Sequence, residues 1–278
     1  MIRALLVAYV IAIVSHFVRL GRAGFVFARE GVFGLVDPAP LPWPARMALR
    51  PARLIERPAG DGSAIRLSAA LTRLGPTYVK LGQFMATRPD VVGVAFARDL
   101  ESLQDRMPAF PQREAEQAVE RAFGRPLREI YASFGPAVAA ASIAQVHKAE
   151  VATAEGLKPV AVKVLRPGIE RRFKTDQDAF AFAARRAEAM SPEAQRLRMV
   201  ETVATLRRSI ALEMDLRLEA AALSEMAENT RDDPGFRVPS VDWERTAKEV
   251  LTLEWIDGTP LNNHAALRER GFDLPALG

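Results

Sequence analysis

The chain has 278 residues, of which 49% are hydrophobic, 26% charged and 7% aromatic. That balance builds a core in one large or two smaller domains and excludes a disordered or collagen-like chain. The absence of Cys removes disulfide scaffolds, zinc ribbons, iron–sulfur clusters and thiol nucleophiles, and a net charge of +4 permits a polyanion partner without requiring one.

The first element is an apolar run, Ala4 to Val18, bracketed by Arg3 and Arg19 and continued as RLGRAGFVFAREG with Arg22 and Arg29. A spanning helix needs roughly 20 apolar residues, so the run is short for a span, and no small-x-small cleavage site of a signal peptide follows it. Three readings stay open, the last the least favoured by length and flanks: a basic amphipathic helix lying in the interface of an anionic bilayer, a helix packed on the body of the protein, or a spanning or signal segment. Residues 37–62 carry six prolines, an extended linker that cannot be helical throughout. From Ser63 to Ala86 apolar residues recur at helical spacing, interrupted by Gly75-Pro76, which predicts two helices with a break. A further helix is expected from Pro111 to a stop at Gly124.

Beyond Gly124 the texture changes. Segments 129–134, 143–151 and 159–165 are short and rich in β-formers and predict a small antiparallel sheet. Residues 167–190 and 194–229 predict two long helices joined around Ser191-Pro192, and 236–243 and 249–255 predict two more strands. The fold class read from this order is α+β. The three His (His16, His147, His264) are too scattered for a metal centre, and the cations are dispersed with few aromatic platforms, which argues against nucleic acid.

Most basic residues are Arg, so the six Lys merit individual inspection. Lys163 sits in PVAVKVLRPG: as a strand, Val160, Val162 and Val164 face one way, and Ala161, Lys163 and Leu165 the other. A Lys between Ala and Leu on one face calls for an anion, unless it snorkels to water from an edge. The V-A-V-K string has the logic of the kinase strand whose Lys holds nucleotide phosphates. About twenty residues upstream, where a kinase places its glycine-rich loop, stand Ala139, Ala140, Ala141 and Ser142; a plain hairpin of small residues would read the same. Downstream, Asp215 and Glu219 are four apart and are expected on one helical face, with Glu219 flanked by Leu218 and three alanines.

Six ordered segments together resemble the UbiB family of atypical protein-kinase-like proteins linked to ubiquinone biosynthesis: RLGPTYVKLGQFMATRPDVV (73–92), LQDRMP (103–108), AAASIAQVH (139–147), VAVKVLRPG (160–168), EMDLRLEAA (213–221) and LTLEWIDGTPL (251–261). The resemblance implies a kinase-like N-lobe, a small antiparallel sheet plus helices over 129–258. A helical lead-in would occupy 1–36, the proline linker 37–62 and a helical extension 63–128, with 259–278 beginning a truncated C-lobe that is otherwise absent.

By the same resemblance, Lys80, Gly82 and Gln83 match a regulatory K-x-G-Q motif on a helix over the nucleotide site. Glu213 and Asp215 match an E-x-D pair facing that helix. Lys163 and Glu219 match the phosphate-binding Lys and its carboxylate partner, the catalytic pair. Ala139 to Ser142 match an Ala-rich ATP-binding loop, and Glu254, Trp255 and Ile256 the hinge at the adenine edge. The family's E-A-A-N run reads Glu219-Ala220-Ala221-Ala222 here.

ATP or ADP is the implied ligand, with Mg2+ whose ligands are expected downstream of residue 278, since neither a catalytic-loop Asp and Asn nor a D-F-G string follows Glu254. The implied role is an accessory ATPase of ubiquinone biosynthesis at the cytoplasmic face of the inner membrane. Its partners would be an anionic membrane surface or quinone-precursor lipid and other proteins of that synthesis. The alternative is a non-catalytic scaffold, a pseudokinase that binds lipid or protein.

Overall fold

Four antiparallel strands in the order β1-β2-β3-β4 form one sheet: β1 (Ser133–Ala140), β2 (Ala144–Thr153), β3 (Gly156–Leu165) and β4 (Val250–Glu254). They belong to a computed structural model that describes residues 2–35, 43–57, 63–94, 97, 100, 103, 107–261 and 263–274. The alternation read in PVAVKVL holds. Val160, Val162 and Val164 are at most 3% exposed and pack under α6 (Gln112–Phe123) and the short α7 (Leu127–Ile130). Each contributes about 1.5–3 kcal/mol by leaving water.

The opposite face, through Ala144, Leu165 and Leu251, joins a second apolar cluster. The helices that supply it are α1 (Ile2–Arg29), α3 (Ser63–Leu74), α4 (Pro76–Ala86), α8 (Ile169–Met190), α10 (Met199–Glu213) and α11 (Leu216–Asn229). The sheet therefore lies between a thin helical layer and a thick one. Helix α2 (Trp43–Leu54) falls inside the proline-rich stretch, with Pro51 within it; 37–42 and 58–62 of that stretch lie outside the described residues. The remaining helices are short: α5 (Pro89–Val92), α9 (Pro192–Arg196) and α12 (His264–Glu269).

Local chemistry explains the boundaries. Gly75 has φ 104° and Pro76 opens α4, so the predicted break between α3 and α4 is enforced by a left-handed glycine and a residue without an amide hydrogen. Gly124 ends α6 in the left-handed conformation at φ 67°. The β2–β3 hairpin closes through Ala154-Glu155, with the Thr153 hydroxyl donating to the Gly156 carbonyl at 2.8 Å.

Several expectations need correction. Residues 129–134 are not a strand: α7 ends at Ile130 and β1 runs from Ser133 to Ala140, so Ala139 and Ala140 lie in the strand rather than the turn. Pro136 and two register shifts are tolerated because β1 is an edge strand. Residues 236–243 form only a bridge, Val241 to Leu253, because Pro239 lacks a ladder donor and Asp242 caps a 3-10 turn at Trp243–Arg245. The single helix expected over 194–229 is three, α9, α10 and α11, interrupted at Arg198 (φ 49°) and at Met214-Asp215.

One carboxylate ties the thick layer together. Asp176 on α8 is 6% exposed, accepts from Arg19 of α1 at 2.6 Å and from the buried Thr77 hydroxyl of α4 at 2.7 Å. The neighbouring Tyr78 phenol is pushed up to about 12, first by burial and then by the Asp176 charge. An unfolded tyrosine titrates near 10, so the folded state keeps this proton longer. The resulting stability is complete below pH about 10 and is lost as pH rises toward about 12. Tyr131, also raised by burial, acts in the same sense. Urea midpoints measured across that range are expected to fall, and to fall less steeply in Tyr78→Phe.

Candidate nucleotide site

Lys163 lies on the half-covered face of β3, paired across the sheet with Val146 on one side and Leu251 on the other. Its ammonium donates to both carboxylate oxygens of Glu219 on α11, at 2.9 and 2.7 Å. The side chains are 27% and 42% exposed, so this is a wet pair worth at most about 1 kcal/mol. An ammonium has three donors, and two are engaged by Glu219. Beside it Ala161, Val146 and Leu253 share the face and are partly exposed, a shelf of small apolar groups ending in a cation. That donor set fits a flat base with a phosphate tail. At the far end Lys148 stands 4.6 Å over the Trp255 ring.

The Ala-rich segment is fastened from below. The Ala141 amide donates to the Ala144 carbonyl at 2.8 Å, and Ser142 is fully buried. Arg166, three residues past Lys163, donates from Nε and Nη2 to the Ala141 carbonyl (3.1 and 2.8 Å) and from Nη2 to the Pro108 carbonyl (2.8 Å). The Met107 amide reaches the Ala140 carbonyl at 3.3 Å, and the Phe110 amide donates to Gln145 Oε1 at 2.9 Å.

Gln145 in turn meets His147, which is buried, stacked on Phe134, and bonded through Nδ1 to the Gly135 carbonyl at 2.9 Å. That carbonyl can only accept, so Nδ1 carries the proton and Nε2 accepts from the Gln145 amide. Burial holds the His147 pKa low. Arg166 and Gln145 had no reading of their own in the sequence. Their partners are mostly backbone atoms, which leave no trace in residue type.

The two lysines meet two different helices. Lys80 of α4 pairs with Glu213, the last residue of α10, at 2.7 Å, while Lys163 pairs with Glu219 in α11. Asp215 lies between them and does neither. It is the extended N-cap of α11, accepts from the Arg217 amide at 3.1 Å, and pairs with the Arg217 guanidinium, which holds its carboxyl below the usual range. Asp215 and Glu219 therefore do not share a helical face, and only the Glu of the E-x-D pair faces the K-x-G-Q helix. Gln83 is half-buried, one turn from Lys80.

Gly82 is a close-approach residue: a Cβ there would lie 2.6 Å from Leu71 and 2.7 Å from Leu103, both buried. Helix propensity favours alanine by about 1 kcal/mol, and overpacking opposes it by about 1–3 kcal/mol. Since both leucines are enclosed, Gly82→Ala is expected to lower the urea midpoint rather than raise it.

At the hinge, the Glu254 amide is already bonded to the Ser240 carbonyl (2.9 Å) and the Trp255 amide to that of Pro159 (3.4 Å). Burial raises the Glu254 pKa, but the Ser240 amide and Arg237 outweigh it and hold the carboxyl low. Ile256 is 43% exposed. Among the described residues no cluster of His, Asp or Glu is placed to hold a metal.

A strand lysine answered by a glutamate from the packed helix, on a small antiparallel sheet with a fastened turn, defines a protein-kinase-like N-lobe. The sequence pattern of the ABC1 atypical kinase-like domain matches residues 102–278, and the chain belongs to that family. It is 38% identical over 265 residues to a protein of Marinobacter nauticus named "Probable protein kinase UbiB", covering 93% of this chain and 47% of that one. A protein of the same name in Azotobacter vinelandii is 37% identical over 247 residues, covering 87% and 45%. An uncharacterized protein of Synechocystis is 39% identical over 220 residues, covering 77% and 31%. The chain spans about half the length, or less, of these curated relatives.

Proposed function

We propose that the chain is the nucleotide-binding part of a UbiB-type atypical kinase or ATPase that supports ubiquinone biosynthesis. The observation that carries this reading is the bidentate contact of Lys163 with Glu219, beside a turn held in place by Arg166. In this reading Lys163 supplies a positive charge to the phosphates of ATP or ADP, Glu219 orients it, and the Ala139–Ser142 segment borders the phosphates. The shelf of Val146, Ala161 and Leu253 takes the base, with the chain at Glu254–Ile256 along its edge. Mg2+ would accompany the phosphates and neutralise their charge. The Lys80–Glu213 contact puts α4 at the junction of α10 and α11, next to the helix that carries Glu219. That position suits a regulatory element.

The same reading puts the chain on the cytoplasmic face of the inner membrane, through α1. No helix among the described residues is long and apolar enough to cross a membrane. Ile11, Val14, Val18 and Phe25 are nonetheless exposed on one side of α1, with Arg22 and Arg29 on that same side, so one face offers both apolar contact and cations to an anionic interface.

Calorimetric titration of the chain with ATP, with and without Mg2+, tests the nucleotide reading. Saturable binding is expected, and heat no greater than dilution would instead favour the non-catalytic scaffold.

A further inference from the structure

Between α1, α4 and α8 lies a cleft of about 390 Å³ bordered by Arg19, Arg22, Arg172, Tyr78, Leu74 and Asp176. It is on a different side of α4 from the contact that Lys80 makes. Three guanidiniums face one carboxylate, and that carboxylate is already satisfied by Arg19 and Thr77. Among the described residues neither Arg22 nor Arg172 has a carboxylate in ion-pair range, so two positive charges stay unbalanced around one small cavity.

The arrangement is built rather than incidental. Arg172 donates from Nη2 to the Leu74 carbonyl at 3.1 Å, at the end of α3, which fixes its guanidinium at the cleft. A Cβ on Gly75 would fall 2.2 Å from that same Nη2, so the left-handed glycine makes the room in which Arg172 sits. Tyr78, whose phenol stays protonated at neutral pH, also borders the cleft.

We propose that this cleft binds a phosphate group. Two unbalanced guanidiniums match the one to two negative charges of a phosphate monoester or diester, and arginine binds phosphate oxygens in pairs. The setting favours a headgroup over a free ion. Arg22 lies on the exposed side of α1, in line with Ile11, Val14, Val18 and Phe25, so the apolar stripe runs up to a residue that borders the cleft. An amphiphile with its chains along that stripe has its phosphate at the level of Arg22. This assignment rests on the membrane reading of α1 and is independent of the nucleotide reading.

The test compares Arg22→Gln with Arg29→Gln; both residues are exposed on α1, but only Arg22 borders the cleft. In the first arm, co-sedimentation is measured with phosphatidylcholine vesicles containing about one-fifth phosphatidylglycerol, and with pure phosphatidylcholine. Loss of one cation near an anionic surface weakens partitioning about fivefold. Arg29→Gln is expected to lose about that much, and Arg22→Gln about thirtyfold or more, because paired hydrogen bonds go with the charge.

In the second arm, inorganic phosphate is titrated against the thermal midpoint at constant ionic strength. A saturable rise that Arg22→Gln abolishes supports the cleft with free phosphate as its source, even if the unaltered chain ignores vesicles and the membrane reading falls. Equal losses in the two variants, together with no Arg22-dependent effect of phosphate, overturn the proposal.

Discussion

Replacing Lys163 by methionine is expected to weaken ATP binding by about ten- to a hundredfold while leaving the thermal midpoint nearly unchanged. The two effects separate because they draw on different environments. In the free chain the Lys163–Glu219 contact is partly exposed on both sides, and removing it costs at most about 1 kcal/mol. Against a phosphate, the same ammonium makes a charge-assisted hydrogen bond worth about 1.5–3 kcal/mol, and each 1.4 kcal/mol is about tenfold in affinity. Methionine keeps the length and the apolar stem, so the strand and its packing are preserved. Lys163→Arg is not a conservative control, since a planar fork does not reproduce a point charge. Calorimetry on the variant and the parent reads the affinity directly. Equal affinities would make Lys163 an ordinary strand lysine reaching for water, and the nucleotide reading would lose its central residue.

Asp176→Ala is expected to lower the unfolding free energy by about 1–3 kcal/mol, the largest stability effect foreseen for a single substitution in the helical layer. The carboxylate is 6% exposed and serves two elements from a third. Its removal leaves the fully buried Thr77 hydroxyl without its acceptor, a cost of about 1–3 kcal/mol. It also releases Arg19, whose side chain is 38% exposed and recovers most of its solvation, so that contribution stays below about 1 kcal/mol. The sum is moderated because a buried carboxylate is itself costly to desolvate. Asp176→Asn retains an acceptor for Thr77 and is expected to lose about half as much. Urea unfolding distinguishes the three proteins, and an Asp176→Ala chain as stable as its parent would show that the carboxylate does not hold α1 and α4 to α8.

Where one residue type dictates local geometry, the sequence was readable. Gly75-Pro76 announced the break between α3 and α4, Gly124 the end of α6, and the valine alternation the two faces of β3. The partnership of Lys163 with Glu219 was not accessible from periodicity, since the residues are 56 apart in sequence; it came from the resemblance of the motifs. The break at Met214-Asp215 was hidden for a different reason. Leu206, Ile210 and Met214 are buried at four-residue steps, and Leu216 and Ala220 are buried beyond them, so the apolar pattern carries through the interruption. The only signal was an Asp standing before Leu216, which is a cap when the helix begins there and a surface residue when it does not. Residues 236–243 read as a strand from their apolar content, and Pro239 within them, which cannot donate to a ladder, is the signal that reading passed over.

The Met214-Asp215 interruption also resets the rotational phase of the chain. In an unbroken helix, one inserted residue turns everything beyond it by about 100°. Here Glu213 takes its direction from α10 and Glu219 takes its own from the Asp215 cap, four residues away. The two carboxylates are therefore aimed independently, although they are only six positions apart. One inserted residue between Leu216 and Glu219 would swing Glu219 away from Lys163 while leaving the Lys80 contact of α10 untouched.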